Sequence, residues 1–350
     1  MKKILLFTLL STVSINAQTP TDYVTTGFNT PSGIAFDASG NLFVADYYTY
    51  KVTKVAPNLA QTNFATVNGT PQQIAFDAAG NLWLAGSGFI QEIEKITPAG
   101  VITTYSASGS PYGIAIDASG NVFYSESNSG DIKKRTPEGV TTTFASNFIQ
   151  PNGLAFDKSG NLLVVDKLDG AVKKITTDGV VSKLISGMNN PTNLVVAPNG
   201  DLYISTGSQN RIFRFPAGGV DGDQQQFIRF NINYDTPAQM AIYNGALYVS
   251  TGSHTKKIIK VTSPSLGLGD TKKTINNSLA IYPNPATDYL HIESNSDVTI
   301  ETIDLYDMTG RAVQNFKPAD IQNNTIKVSN VTSGNYILKV NNTSKKIIIK

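Results

Sequence analysis

Cysteine is absent from all 350 residues, which rules out a disulfide, a thiolate zinc site and a cysteine nucleophile. Histidine is scarce, with only His254 and His291 present, so imidazole chemistry has two places at most. No apolar run approaches the roughly 20 residues that a membrane-spanning helix needs, so no transmembrane segment is expected. An excess of charge of either sign is missing as well. Residues 18–265 hold 17 basic and 18 acidic side chains, and residues 266–350 hold 9 and 8. That balance excludes the basic footprint of a nucleic-acid partner.

What is present begins with an address. Lys2 and Lys3 precede an apolar run from Ile4 to Leu10 and a polar stretch ending at Ala17, the order of a secretory signal peptide. Residues 1–17 are read as that peptide, cleaved after Ala17. The remainder is long enough for two cores, which an exported chain without disulfides must rely on.

A strict internal repeat then sets the organisation. Pro31, Pro71, Pro111, Pro151 and Pro191 are 40 residues apart, and Gly40, Gly80, Gly120, Gly160 and Gly200 keep the same interval. Each period holds four short strand patterns, as in GIAFD, NLFVAD, KVTKV and TNFATV of the first, and four strands at this period make one propeller blade. A sixth copy follows with Pro237 and Gly245, stretched by six residues that are expected between Gly218 and Gln226. It lacks its own fourth strand, and Asp22–Phe28, containing YVTTG, is expected to fill that place and close the ring. The fold class is therefore all-β: a six-bladed β-propeller over 18–265, a linker over 266–278, and a small β-sandwich over 279–350. The Asp-x-x-Gly-Asn turns (Asp37 to Asn41 and copies) read as hairpin connections, with glycine supplying positive φ.

In a propeller, the residues that open each inner strand and those that end each second strand meet on one face around the channel. Candidate ligand-binding residues on that rim are Asp46, Tyr47, Tyr48, Gln72, Tyr112, Glu126, Asn152, Asp166, Asn193, Gln239 and His254. Gln73 stands beside them. Acidic, amide and aromatic groups together suit a small ligand, a glycan, a peptide or a protein segment. Asn152, Glu126 and Asp166 lie on adjacent blades and form the candidate set for one divalent cation, calcium or magnesium. No other cofactor is expected, and the protein is expected to be a monomer.

The pattern P-x-G-I-A-F-D-x-x-G-N-L-x-V-A-D resembles NHL repeats. Gly80–Asp117 (GNLWLAGSGFIQEIEKITPAGVITTYSASGSPYGIAID) is similar to repeats of virginiamycin B lyase, and Pro151–Asp166 (PNGLAFDKSGNLLVVD) is similar to the gluconolactonase and regucalcin family. The last resemblance implies a metal-dependent lactonase whose cation is held by a Glu, an Asn and an Asp. Asn152 matches one position, whereas Asn29 with Thr30 and Thr192 occupy the other two. The lyase resemblance implies a histidine base, for which His254 is the one histidine of the propeller. Binding at the rim therefore ranks ahead of catalysis, with lactonase ahead of lyase.

After the linker, LAIYPNPATDYLHIE (Leu279–Glu293), IETIDLYDMTGRAV (Ile300–Val313) and VTSGNYILKVNNTSKKIIIK (Val331–Lys350) closely resemble the type A sorting domain of the Bacteroidota type IX secretion system. This implies export through the periplasm and across the outer membrane to the cell surface or medium, with the secretion machinery as a partner.

Overall fold

The computed structural model describes residues 18–350 apart from 208, 231–235, 253, 264–265, 267–279, 283, 294–302, 308–310, 318–324 and 341–342. The signal peptide expected at 1–17 and nearly all of the linker expected at 266–278 lie outside the described residues. The chain divides into two compact units, 1–270 and 271–350.

The first unit is the six-bladed ring. After β1 (Thr19–Val24), blade one holds β2 (Pro31–Phe36), β3 (Leu42–Asp46), β4 (Lys51–Val55) and β5 (Gln61–Thr66). Blade two holds β6 (Thr70–Phe76), β7 (Leu82–Ser87), β8 (Glu92–Ile96) and β9 (Ile102–Ser106). Blade three holds β10 (Pro111–Ile116), β11 (Val122–Glu126), β12 (Asp131–Arg135) and β13 (Thr141–Ala145). Blade four holds β14 (Pro151–Phe156), β15 (Leu162–Asp166), β16 (Ala171–Ile175) and β17 (Val181–Ile185). Blade five holds β18 (Pro191–Val196), β19 (Leu202–Thr206), β20 (Arg211–Phe215) and β21 (Gln225–Arg229), and blade six holds β22 (Pro237–Tyr243), β23 (Ala246–Thr251) and β24 (Ile258–Thr262). Each blade is an antiparallel meander.

Second strands such as LFVAD and LLVVD are buried along their whole length, because a blade flanks them on both faces. Outer strands such as QTNFAT are mostly exposed. The Asp-x-x-Gly-Asn turns do what their residues dictate. Asp37 Oδ1 accepts the N–H groups of Ser39 (2.9 Å) and Asn41 (2.8 Å), and Gly40 sits at φ +82°. Asp77, Asp117 and Asp157 repeat the arrangement.

Blade six is completed by β1, which pairs antiparallel with β24 from Thr19↔Thr262 to Val24↔Ile258. The two ends of the propeller chain thus share one sheet, and no long edge is left open. Lys257 Nζ meets Asp22 Oδ1 at 2.8 Å within blade six, and Ser250 Oγ donates to Ser32 O at 2.7 Å, joining blade six to blade one. The strand lies earlier than the expected Asp22–Phe28. The residues after Val24 are needed as a loop, since it must bring the amides of Asn29 and Thr30 to Asp46. The stretch in the repeat is also divided: in register, β21 follows β17 by 43 residues (Ile185 and Ile228 face the equivalent Val172 and Ile212), whereas Pro237 follows Pro191 by 46. Three of the six extra residues precede β21, as expected, and three follow it.

The second unit packs two sheets on each other. One holds β25 (Ala280–Tyr282), β26 (Tyr289–Glu293) and β29 (Thr325–Lys327). The other holds β27 (Ile303–Asp307), β28 (Ala312–Phe316), β30 (Gly334–Val340) and β31 (Thr343–Ile349). Leu290, Ile292, Ile303, Leu305, Ile326, Leu338 and Ile347 form its own core. The Asn-Pro turn clasps the last strand, with Ile348 N donating to Asn284 Oδ1 (2.8 Å) and Lys350 N to Ala286 O (2.8 Å).

Candidate functional site at the channel mouth

Pairings Pro31↔Asp46, Pro111↔Glu126 and Pro151↔Asp166 put the starts of inner strands and the ends of second strands at one face, where the sequence places the rim. A β-bulge follows each of these prolines and turns the next two residues of the inner strand away from the ladder.

The rim carboxylates are bonded within the protein. Asp46, Glu126 and Asp166 are buried, and each holds the loop that leads into its own blade. Asp46 accepts N–H groups from Asn29 (2.5 Å), Thr30 (3.0 Å) and Thr49 (3.1 Å). Asp166 accepts those of Ile149 (3.0 Å) and Gln150 (2.8 Å), and pairs with Lys173 at 2.7 Å. Glu126 accepts from Ser108 N (3.0 Å), Ser108 Oγ (3.1 Å) and Ser129 Oγ (3.1 Å), with Lys133 at 3.7 Å. Asn152 Oδ1 accepts from Ser127 Oγ at 3.2 Å. The three residues expected to share a cation are thus engaged one by one in separate clasps. Among the described residues, no three His, Asp or Glu side chains are grouped as metal ligands.

Blade two shows the same clasp built differently, from a residue that the sequence reading passed over. Gly86 stands where blades one, three and four have the acid and blades five and six have Thr206 and Thr251, and the incoming loop is held instead by Glu94, whose Oε1 accepts Asn68 N at 2.9 Å. Glu94 occupies the position that Lys133 and Lys173 take in blades three and four. It is 0% exposed, and burial, then its neighbour Glu92, push its carboxyl up to about 8.

Gln73 ties three inner strands together. Its Oε1 accepts Ile114 N (3.3 Å) and Leu154 N (3.1 Å), and its Nε2 donates to Leu154 O (3.0 Å), so one side chain of blade two binds blades three and four. Glycine at the equivalent positions lets the inner strands converge: a Cβ on Gly113 would lie 2.1 Å from Asn152 O. Asn193 and Gln239 also occupy this level. They are buried, and both amide atoms of Asn193 and Nε2 of Gln239 lack a hydrogen-bond partner. Gln73→Ala removes three bonds and strands buried backbone groups, so it is expected to cost about 2–4 kcal/mol in denaturant unfolding.

The accessible part of the mouth carries a tyrosine cluster, with Lys167 at the place equivalent to Tyr47 and exposed Lys256 donating to Asn29 Oδ1 at 3.2 Å. Tyr112 keeps some open surface but sits deep, and burial, then Tyr47, push its hydroxyl up to about 12, so it stays protonated as a donor. Tyr47 packs edge-to-face on Tyr48 (4.9 Å, 81°), and Tyr48 is 61% exposed. Phe89 projects fully into solvent from the β7–β8 loop. Gln72 is turned aside, with its Nε2 donating to Ser87 Oγ at 2.8 Å. His254 is exposed on the β23–β24 loop of blade six.

Residues 280–350 match the family model described as the secretion system C-terminal sorting domain. The chain therefore ends in a sorting domain, and it is exported by the type IX route to the cell surface or medium. Among curated proteins, nothing matches the chain. The propeller is similar to several solved structures. One is a catalytically inactive virginiamycin B lyase from Staphylococcus aureus with quinupristin, at 15% identity and TM-score 0.58, covering 71% of this chain and 100% of that one. A second is a gluconolactonase from Xanthomonas campestris, at 16% identity and TM-score 0.60, covering 71% and 90%. A third is a luciferin-regenerating enzyme, at 14% identity and TM-score 0.60, covering 72% and 97%. At these identities the likeness is one of fold.

Proposed function

We propose that this protein is an exported binding propeller whose channel mouth holds an uncharged ligand, a glycan before a peptide or protein segment, without making or breaking a bond. The observation that carries this reading is the pairing of an open tyrosine cluster with carboxylates that are already consumed. Tyr48 offers a ring face and Tyr112 a protonated hydroxyl, while Asp46, Glu126 and Asp166 are spent on backbone amides and lysines. Aromatic rings supply contact area at small entropic cost, and their polar ends read hydroxyl groups. The test is a glycan array on the mature propeller, followed by calorimetry with the best binder. Tyr48→Ala and Tyr112→Phe are each expected to weaken binding about tenfold, on the order of 1.4 kcal/mol, with the melting temperature unchanged for Tyr48→Ala. Affinity that neither variant alters would refute the mouth as the site.

A metal-dependent lactonase is the second reading. It is favoured by Asn152, which lies at the mouth directly after Pro151, and it would require the Asp166 clasp to open. A carbon–oxygen lyase based on His254 ranks behind it, because a single exposed histidine has no acidic partner fixed beside it among the described residues.

A further inference from the structure

Blades one, three and four hold their incoming loops with an acid from the second strand, and in blades three and four a lysine answers that acid. Blade two has neither. Its clasp is Glu94, and beside it stands a second buried acid, Glu92. The largest influences on Glu94 are its burial, then Glu92 and the N–H groups of Asn68 and Gly69. Across the ladders Glu94 faces Leu84 and Thr104, and Glu92 faces Gly86 and Ser106. The nearest cation in sequence, Lys95, lies over the ring of Trp83 instead.

One oxygen of each acid, Glu92 Oε1 and Glu94 Oε2, is enclosed without a donor. Two adjacent carboxylates in that state cannot both be ionised at tolerable cost, whereas a proton between them turns one into a donor and satisfies both. A bound cation is the competing answer, and the packing disfavours it. The Glu92 stem lies against Gly69 and Gly86, whose added Cβ atoms would come within 3.6 and 3.7 Å of its Cγ. Calcium wants six or more oxygens, and two enclosed ones fall far short.

We propose that Glu92 and Glu94 hold one proton between them and thereby latch the mouth loops of blade two, releasing those loops when the proton is lost in mildly alkaline surroundings. Glu94 ties down Asn68, and Glu92 ends the loop that carries exposed Phe89 and Ile90, so both loops hang on the pair. The direction follows from the carboxyl raised from 4.5 to about 8. Between those values the folded protein keeps a proton that the unfolded chain gives up, so stability falls as pH rises through that window. The latch concerns the loops and not what the mouth binds, so its test needs no ligand.

The test is amide hydrogen exchange on the mature chain at about pH 6.5 and about pH 9, corrected for intrinsic rates. Protection in residues 67–70 and 87–91 is expected to drop roughly tenfold at the higher pH, one unit past the titration. The equivalent loops of blades three and four, 107–110 and 147–150, should hold theirs. Glu94→Gln keeps an acceptor for Asn68 and supplies a permanent donor to Glu92, so it should abolish the drop, and Glu92→Gln should do the same. Protection in the wild-type chain that ignores pH would overturn the proposal, whether or not the variants fold. So would a drop that persists in both variants, or one that calcium reverses, since the bridge would then be an ion.

Discussion

Removal of residues 279–350 is expected to leave a folded propeller that stays in the periplasm, taking the exported fraction from nearly all of the protein to none. The terminal unit has its own core, from Ile281 to Ile349, and the propeller clusters draw no residue from it. A unit with a core of its own is expected to fold by itself. The signal for crossing the outer membrane, by contrast, lies in the part removed, which holds the sorting-domain match. Cell fractionation with a blot against the propeller reads the result. Truncated protein in the medium or on the surface would disprove the sorting role, and truncated protein that is degraded in the periplasm would disprove the independence of the ring.

The second large effect is expected from deleting Thr19–Val24. Those six residues are a small part of the chain, yet they supply the whole outer strand of blade six. Their loss exposes the edge of β24, removes buried Val24, and takes Tyr23 from its edge-to-face contact with Tyr248 at 4.9 Å. Buried area and ladder bonds together are worth on the order of 5 kcal/mol, which for a domain of this size lowers the melting temperature by about 10–20 °C. Scanning calorimetry of the mature chain with and without β1 checks it. Equal melting temperatures would mean that the ring does not depend on this closure.

The architecture was legible because its signals are local. Proline and glycine at a fixed interval, and Asp-x-x-Gly-Asn turns, carry their geometry wherever they occur, so blade number and closing partner could be read directly. The register of β1 was not, because it depends on how much chain must be left to carry Asn29 and Thr30 to Asp46. The same limit governs the site. Whether Asp166 faces a ligand or caps a loop is decided by where the amides of Ile149 and Gln150 come to lie, and nothing in LLVVD states that. Lysine seven residues after the acid, as at Lys133 and Lys173, was the available hint. Glu94 was hidden further, since its role appears only when Gly86 is seen to lack the acid of its counterparts in blades one, three and four.

In the proposed function the mouth binds without catalysis while Asp46, Glu126 and Asp166 hold the incoming loops. Calorimetric titration of calcium, magnesium and zinc into the mature propeller, with lactone hydrolysis assayed alongside, tests it most directly. The account predicts no ion binding at Asn152, Glu126 and Asp166, no turnover, and the same glycan affinity with and without a chelator. Ion binding that vanishes in Asn152→Ala, a substitution that leaves the Asp166 clasp intact, together with ion-dependent turnover, would contradict it and establish the lactonase reading in its place.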